Sequence, residues 1–128
     1  EQGIRYAGWC VVPNHYHTLV DLVDVRAFSR ALGKLHGRTS HQMNTQDGAR
    51  GRKVWYRCQD RKMRSEAHYY TTLNYIHYNP VKHGYASKCQ DWPFSSADWY
   101  LRTKGREWVD DLWRTYPIRS YGEKWDRC

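Results

Sequence analysis

The chain has 128 residues, enough for one domain with an ordinary hydrophobic core. Its 21 Lys and Arg residues against 13 Asp and Glu residues give a formal net charge of +8, which favours a polyanionic partner such as nucleic acid. The four cysteines form no CxxC pair and no run of 18 apolar residues occurs, which disfavours a structural zinc site and a membrane span. We therefore expect a cytoplasmic protein with reduced thiols.

The first predicted elements are two short strands joined by a tight turn. Residues 4–12 are rich in apolar and aromatic side chains, and residues 15–23 alternate between two faces. Pro13-Asn14 between them is a turn signal, so the two strands are expected to form a hairpin. Side chains two positions apart on a strand share a face, which places His15 and His17 side by side.

A helix is predicted next. Asp24 is a suitable N-cap, and Phe28, Leu32 and Leu35 follow at helical spacing. Residues 44–51 are expected to form a loop because Asp-Gly within them is a strong turn signal.

Residues 53–63 are predicted to form a strand that lies within a basic cluster. Seven cations oppose one acid in this region, a local excess of six positive charges. So one-sided a cluster favours contacts with DNA phosphates, although a solvated face would explain it too. The cations are Arg50, Arg52, Lys53, Arg57, Arg61, Lys62 and Arg64.

The second predicted helix begins at Ser65, a good N-cap, and runs to about Tyr78, where Pro80 is expected to end it. Residues 86–128 are expected to form a basic, Trp-rich C-terminal extension of the same single domain, with a short helix at residues 110–116.

Three side chains could hold a metal ion. His15 and His17 offer ring nitrogens, and Asn79 offers an amide oxygen from the second helix. Mixed nitrogen and oxygen ligation with open positions suits Mg²⁺ or Mn²⁺. With seven histidines in the chain, a chance pairing would also produce this pattern.

The same helix offers a nucleophile. Tyr75 lies four residues before Asn79, so the two share a helix face. On chemistry alone, Tyr69, Tyr70 and Tyr78 compete with it. The remaining histidines are expected to be surface or capping residues, and they are His36, His41, His68, His77 and His83.

Four segments resemble one family. Residues 13–17, PNHYH, resemble the PNHxH signature of the IS200-like transposases. Residues 75–85, YIHYNPVKHGY, resemble the YIHxNPVK segment of the REP-associated tyrosine transposase branch, as do residues 51–55 and 91–96. The four segments occur in order over nearly the whole chain.

The resemblance implies an α+β fold, the ferredoxin-like fold of the HUH nucleases with an antiparallel sheet and packed helices. It implies that His15, His17 and Asn79 bind a divalent metal ion and that Tyr75 is the nucleophile. The implied reaction is cleavage and rejoining of single-stranded DNA at REP-type hairpins through a 5′-phosphotyrosine. Lys82 and the basic cluster are expected to contact DNA.

Family members usually carry a further strand and helix before the histidine hairpin, and this chain starts after them. We therefore expect an N-terminally truncated domain whose sheet has an open edge. A monomer or homodimer associated with the bacterial nucleoid is expected. Two other readings are a non-catalytic nucleic-acid-binding module and a metal-dependent hydrolase that activates water.

Overall fold

The structure, a computed structural model, describes residues 4–56 and 58–125. These residues divide into two compact units, the first made mainly of Leu22–Lys62 and the second of Arg5–Asp21 and residues 63–125. The predicted α+β architecture is confirmed, since the described residues form one antiparallel pair of strands and four α-helices. No helix within these ranges is both long and apolar enough for a membrane crossing.

The first unit is built on helix α1, Val25–Asp47, which begins at the predicted cap. The Asp24 carboxylate accepts the Ala27 N–H at 3.1 Å. The helix ends at Gly48, whose φ of 63° is a left-handed conformation that glycine adopts at little cost. The predicted loop at residues 44–51 is therefore wrong over its first four positions, because nothing before Gly48 interrupts the helix.

The segment after α1 folds back along that helix. Trp55 stacks on the His36 ring, with 4.5 Å between ring centroids, and its Nε1 donates to the Thr39 hydroxyl at 2.9 Å. The strand predicted at residues 53–63 is wrong, since no strand occurs among the described residues of that range. Trp55, from the segment that indicated a strand, packs on a helix instead. A strand without a partner has no ladder to stabilise it.

The second unit opens with the predicted hairpin, β1 (Ile4–Val12) and β2 (His15–Leu22). The edge of β1 that faces away from β2 is partly paired by residues 94–96 of the same chain. There the Val11 N–H donates to the Phe94 carbonyl at 2.8 Å. Part of the edge that was expected to be open is thus covered.

Helix α2, Glu66–Lys82, packs across this hairpin. It starts at the predicted cap, where the Ser65 hydroxyl accepts the His68 N–H at 3.0 Å. Leu73 and Ile76 enter the core as predicted, and a Cβ at Gly8 of β1 would overlap the Leu73 side chain. The glycine therefore permits the close approach of strand and helix.

The helix does not end before Pro80. That residue lies inside α2, which continues to Lys82, so the predicted end at Tyr78 is wrong. The last turn is completed beyond the proline, where the His83 N–H donates to the Asn79 carbonyl at 3.1 Å. This extra turn brings Asn79 and Lys82 onto regular helix positions.

Two shorter helices follow, α3 (Ala97–Lys104) and α4 (Arg106–Thr115). Helix α4 was predicted at residues 110–116 and begins four residues earlier, whereas α3 was not predicted. Its eight residues contain few aliphatic side chains, so its apolar pattern is weak. The core of the second unit consists of Ala7, Cys10, Val12, Leu19, Leu73 and Ile76.

Candidate active site

One face of α2 carries the three polar side chains of the candidate site. Tyr75, Asn79 and Lys82 follow one another at spacings of four and three residues, so they lie along one stripe of the helix. Tyr75 is 2% exposed and Asn79 is fully buried. Burial of an amide and a phenol is costly unless their polar atoms have hydrogen-bond partners.

Strand β2 presents its histidines to this stripe. The His15 Nε2 lies 3.0 Å from the Asn79 Oδ1, and the His15 and His17 ring centroids are 5.2 Å apart. The His17 ring also meets the Tyr75 ring edge-on at 5.4 Å. The four residues that the sequence proposed for metal binding and nucleophilic attack therefore come together in one place.

The contacts of His15 suit a cation. Its Nδ1 lies 2.6 Å from the Asn14 Oδ1 while its Nε2 faces the Asn79 Oδ1, so both ring nitrogens meet amide oxygens. A neutral imidazole has one N–H and can donate to only one of them. A cation between Nε2 and Oδ1 would let both atoms act as lone-pair donors, and ligands at right angles around Mg²⁺, each about 2.1 Å away, lie about 3 Å apart.

A flip of the Asn79 amide would instead present its Nδ2 to His15 and would need no metal, so a metal titration separates the two arrangements. No group of three His, Cys, Asp or Glu side chains within residues 4–56 and 58–125 is placed to hold a metal ion. A metal centre built on the histidine pair therefore relies on the Asn79 amide for its third protein ligand.

The Tyr75 hydroxyl is bound to a cation of its own helix. The Lys82 ammonium donates to this oxygen at 3.1 Å. It also donates to the carbonyls of Gly122 at 3.1 Å and Trp125 at 3.3 Å, which accounts for its three N–H groups. Lys82 was predicted to contact DNA, but the structure turns its side chain toward the candidate nucleophile.

The C-terminal segment covers Tyr75. Tyr121 and Trp125 place their rings edge-on against it at 5.9 and 5.1 Å. A Cβ at Gly122 would lie 2.5 Å from the Tyr75 ring, and this glycine has φ 70°. We name residues 121–125 the cover segment. No sequence signal beyond the glycine itself marks this contact, because it joins positions almost fifty residues apart.

A polar network anchors the cover segment on α2. The Arg64 N–H donates to the His68 Nδ1 at 3.2 Å, which leaves a hydrogen on the Nε2 of the neutral ring to face the Tyr121 hydroxyl at 3.1 Å. The same hydroxyl lies 2.6 Å from the Thr72 hydroxyl. His68, expected at the surface, thus has a structural role.

One other histidine, His77, also differs from expectation. His77 is buried, its Nε2 lies 2.8 Å from the Ser96 hydroxyl, and burial lowers its pKa to about 4. His83 is half-buried, with its ring 5.0 Å from that of His15. His77 was predicted to be a surface or capping residue because helical spacing alone does not show how deeply α2 is embedded. His83 is the C-cap residue of α2, which agrees with the predicted capping position.

The competing tyrosines have other neighbours. Tyr69 and Tyr70 contact each other and pack against the core, and Tyr78 contacts the Trp113 ring. The ring of Tyr75, in contrast, lies against the ring of His17.

The predicted phosphate-contacting residues outside α2 are exposed wherever the structure describes them. Arg52 is held by an ion pair with Asp47 at 2.8 Å. Arg57 lies outside the described residues. The other exposed cations of the cluster are Arg50, Lys53, Arg61, Lys62 and Arg64.

The chain is similar to proteins that carry one family name. No family model matches the chain. It is 32% identical over 101 residues to a Haemophilus influenzae protein named "Putative REP-associated tyrosine transposase", covering 68% of this chain and 55% of that protein. It is 29% identical over 90 residues to the Escherichia coli K12 REP-associated tyrosine transposase, covering 69% and 51%. The chain thus spans about half the length of these curated relatives.

A solved structure of a REP-associated tyrosine transposase bound to a REP hairpin has the same fold. The TM-score is 0.62 at 26% sequence identity, over 80% of this chain and 60% of that one.

Proposed function

Because this chain is a relative of the REP-associated tyrosine transposases in sequence and in fold, as its motifs predicted, we propose that it is a transposase-type endonuclease. In this proposal it cleaves and rejoins hairpin-bearing single-stranded DNA with the help of Mg²⁺ or Mn²⁺. The observation that supports it best is the convergence of His15, His17, Tyr75 and Asn79.

The nucleophile is the Tyr75 hydroxyl. Its oxygen attacks a backbone phosphorus, forms the new O–P bond and releases the 3′ oxygen of the preceding nucleotide. The proton that the phenol loses is balanced by the proton that the 3′ oxygen gains. The products are a 5′-phosphotyrosine and a free 3′-OH, and attack by that 3′-OH on the phosphotyrosine rejoins the strand.

His15, His17 and Asn79 would hold the metal ion. Bound there, it would supply charge that neutralises the phosphate and makes the phosphorus easier to attack. The chain supplies the positions of its ligands. Asn14 fixes the His15 ring through Nδ1, and the rigid turn of α2 fixes Asn79.

Lys82 assists Tyr75. A tyrosine hydroxyl is a weak nucleophile because its ordinary pKa is near 10. An ammonium group 3.1 Å from the hydroxyl oxygen favours the negative charge that develops there on deprotonation, and again when the phosphotyrosine bond breaks. Its predicted contact with DNA is replaced, in our proposal, by this role.

DNA must gain access to Tyr75. With 2% of its surface exposed, the side chain offers no path for an attacking geometry until the cover segment moves away. The cations of the basic cluster are proposed to bind phosphates of the hairpin, which supplies sequence-independent affinity.

The buried state of Tyr75 also favours one alternative. A non-catalytic nucleic-acid-binding module would keep the cover segment closed, bind hairpins without a metal and cut nothing. A metal-dependent hydrolase, the remaining alternative, would cleave through activated water.

The test uses the purified chain, a labelled hairpin with a single-stranded flank, and Mn²⁺. We expect a covalent protein–DNA adduct that is lost in Tyr75→Phe and in His17→Ala, with metal binding lost only in the second. Hairpin binding without any adduct supports the non-catalytic module. Cleavage that survives Tyr75→Phe supports the hydrolase.

A further inference from the structure

A row of aromatic rings leads outward from the candidate active site. The His83 ring lies 5.0 Å from the His15 ring and 6.4 Å from that of Tyr85. Tyr85 lies 5.5 Å from Trp92, which lies 5.7 Å from Phe94. We name His83, Tyr85, Trp92 and Phe94 the aromatic row. Its members come from two stretches of chain, so the row is a product of folding.

The outer rings of the row face solvent. Tyr85 is 41% exposed and Phe94 is 57% exposed, while His83 and Trp92 are half-buried. Neither exposed ring is needed to fill the core, which consists of other side chains. Adjacent exposed aromatic side chains beside a polar site commonly mark a binding surface.

Hydrogen bonds to backbone carbonyls hold the row in place. The Tyr85 N–H donates to the Pro80 carbonyl at 2.8 Å, which fixes it to the end of α2. The Trp92 Nε1 donates to the Val11 carbonyl, and the Val11 N–H donates to the Phe94 carbonyl, both at 2.8 Å. A surface fixed to α2 and β1 loses little conformational freedom when a ligand binds.

We propose that the aromatic row binds unpaired bases of the DNA strand next to the phosphodiester that reaches Tyr75. This inference rests on the proposed function and adds a binding surface to it. Every nucleobase has a π face, so aromatic side chains bind single strands with little dependence on sequence. The row reaches the candidate active site through the contact between the His83 and His15 rings. The net charge of +8 favours a polyanionic ligand on this surface.

Paired bases would not fit this surface. In a duplex the π faces are stacked on one another, so only a strand whose bases are separated can place them on Tyr85 or Phe94. The row should therefore distinguish a hairpin with a single-stranded tail from the same hairpin with a blunt end.

The experiment measures affinity for these two hairpins, with 2-aminopurine in the tail as a fluorescent reporter of stacking. In wild type we expect tighter binding of the tailed hairpin and quenched 2-aminopurine. Tyr85→Ala and Phe94→Ala should each weaken tailed-hairpin binding roughly fivefold to hundredfold and relieve the quenching. Their affinity for the blunt hairpin should equal that of wild type.

Two sets of controls keep the result specific. Tyr85→Phe and Phe94→Tyr retain a ring and should bind the tail as wild type does. Trp99→Ala removes an aromatic side chain that is 50% exposed and whose ring contact is to Tyr100. It should leave the preference for the tailed hairpin unchanged. Because the three substituted side chains, Tyr85, Phe94 and Trp99, are exposed, the variants are expected to fold. Circular dichroism checks this.

The inference is overturned if the double variant Tyr85→Ala, Phe94→Ala binds the tailed hairpin with the same affinity as wild type. It is also overturned if the substitutions weaken binding of the tailed and the blunt hairpin to the same degree. Self-association of wild type that these substitutions abolish, measured by sedimentation, would assign the row to a second copy of the chain and overturn it too. Failure of the proposed function is distinguishable, since it appears as the absence of a Tyr75 adduct whatever the tail affinity.

Discussion

The candidate active site and the basic cluster differ in how firmly the chain holds them. Tyr75 and Asn79 are at most 2% exposed, and hydrogen bonds join Asn79 to His15 and Tyr75 to Lys82. The described cations at residues 50–56 and 58–64 are exposed and lie outside helices and strands. Chemistry at one phosphorus atom needs fixed positions, whereas contact with many phosphates needs accessible charge that can adapt.

In the candidate active site, we expect the largest effect from Asn79→Ala. Loss of the amide oxygen removes the proposed third metal ligand, so we expect at least a hundredfold slower adduct formation and weaker Mn²⁺ binding, on the order of ten- to a hundredfold. Quenched-flow assays measure the rate of adduct formation, and calorimetry measures the affinity for Mn²⁺.

Asn79→Asp is the matched variant, because it keeps an oxygen donor of the same size. It should retain Mn²⁺ binding and a folded structure. If Asn79→Ala keeps wild-type Mn²⁺ affinity while folded, the proposed ligand set is incorrect.

The next largest effect concerns the cover segment. A Cβ at Gly122 would overlap the Tyr75 ring, so Gly122→Ala should destabilise the closed segment by about 2 kcal/mol beyond the cost of the positive φ. That corresponds to about thirtyfold more of the open state. Nitration by tetranitromethane, mapped to Tyr75 by mass spectrometry, should accelerate to the same degree.

Gly48→Ala provides the comparison. Its φ is 63°, close to the 70° of Gly122, but no atom lies within 4 Å of its added Cβ. It should leave Tyr75 nitration unchanged. Equal nitration rates in both variants would show that Gly122 does not hold the cover closed.

The buried His77 should make the free energy of unfolding sensitive to acid. Its folded pKa of about 4 lies below the ordinary value of 6.5, so between these pH values the unfolded chain binds more protons than the folded one. The free energy of unfolding should therefore fall as pH drops below 6.5, by up to about 1.4 kcal/mol per pH unit until pH 4.

Denaturant titrations between pH 4 and 7 measure that slope. His77→Gln should flatten it, whereas His41→Gln, at an exposed position of α1, should leave it as in wild type. A slope that persists in folded His77→Gln would assign the acid sensitivity to other groups.

The smallest expected effects come from a pair of lysines. Lys82→Met should slow adduct formation about tenfold, because a hydrogen bond to a developing charge is lost, and should leave hairpin affinity unchanged. Lys62→Met should instead lower the slope of log affinity against log salt by about 1 with little change in the rate of the bound complex. An altered salt slope in Lys82→Met would place that side chain on DNA, as its sequence context had predicted.

Local signals in the sequence predicted the elements that depend on local physics. The caps at Asp24 and Ser65 and the histidine hairpin are confirmed, because a cap or a tight turn is determined by neighbouring residues. The strand at residues 53–63 was wrong because strands need partners. The end of α2 was wrong because a proline near the last turn leaves later hydrogen bonds intact.

The candidate site was predictable only in part. The spacing of Tyr75 and Asn79 on one helix and of two histidines on one strand indicated each half, and the family resemblance joined them. The contacts of Lys82 and of the cover segment link positions far apart in the chain, and no periodicity contains that information.

The most direct test of Tyr75 as the nucleophile is to locate the covalent bond between protein and DNA. The protein is incubated with the tailed hairpin and Mn²⁺, the DNA is trimmed with nuclease, and peptides are sequenced by mass spectrometry. The proposed mechanism places a nucleotide 5′-phosphate on Tyr75, and we expect none in Tyr75→Phe. A nucleotide on Tyr69, Tyr70 or Tyr78, or DNA cleavage with no modified peptide, would contradict it.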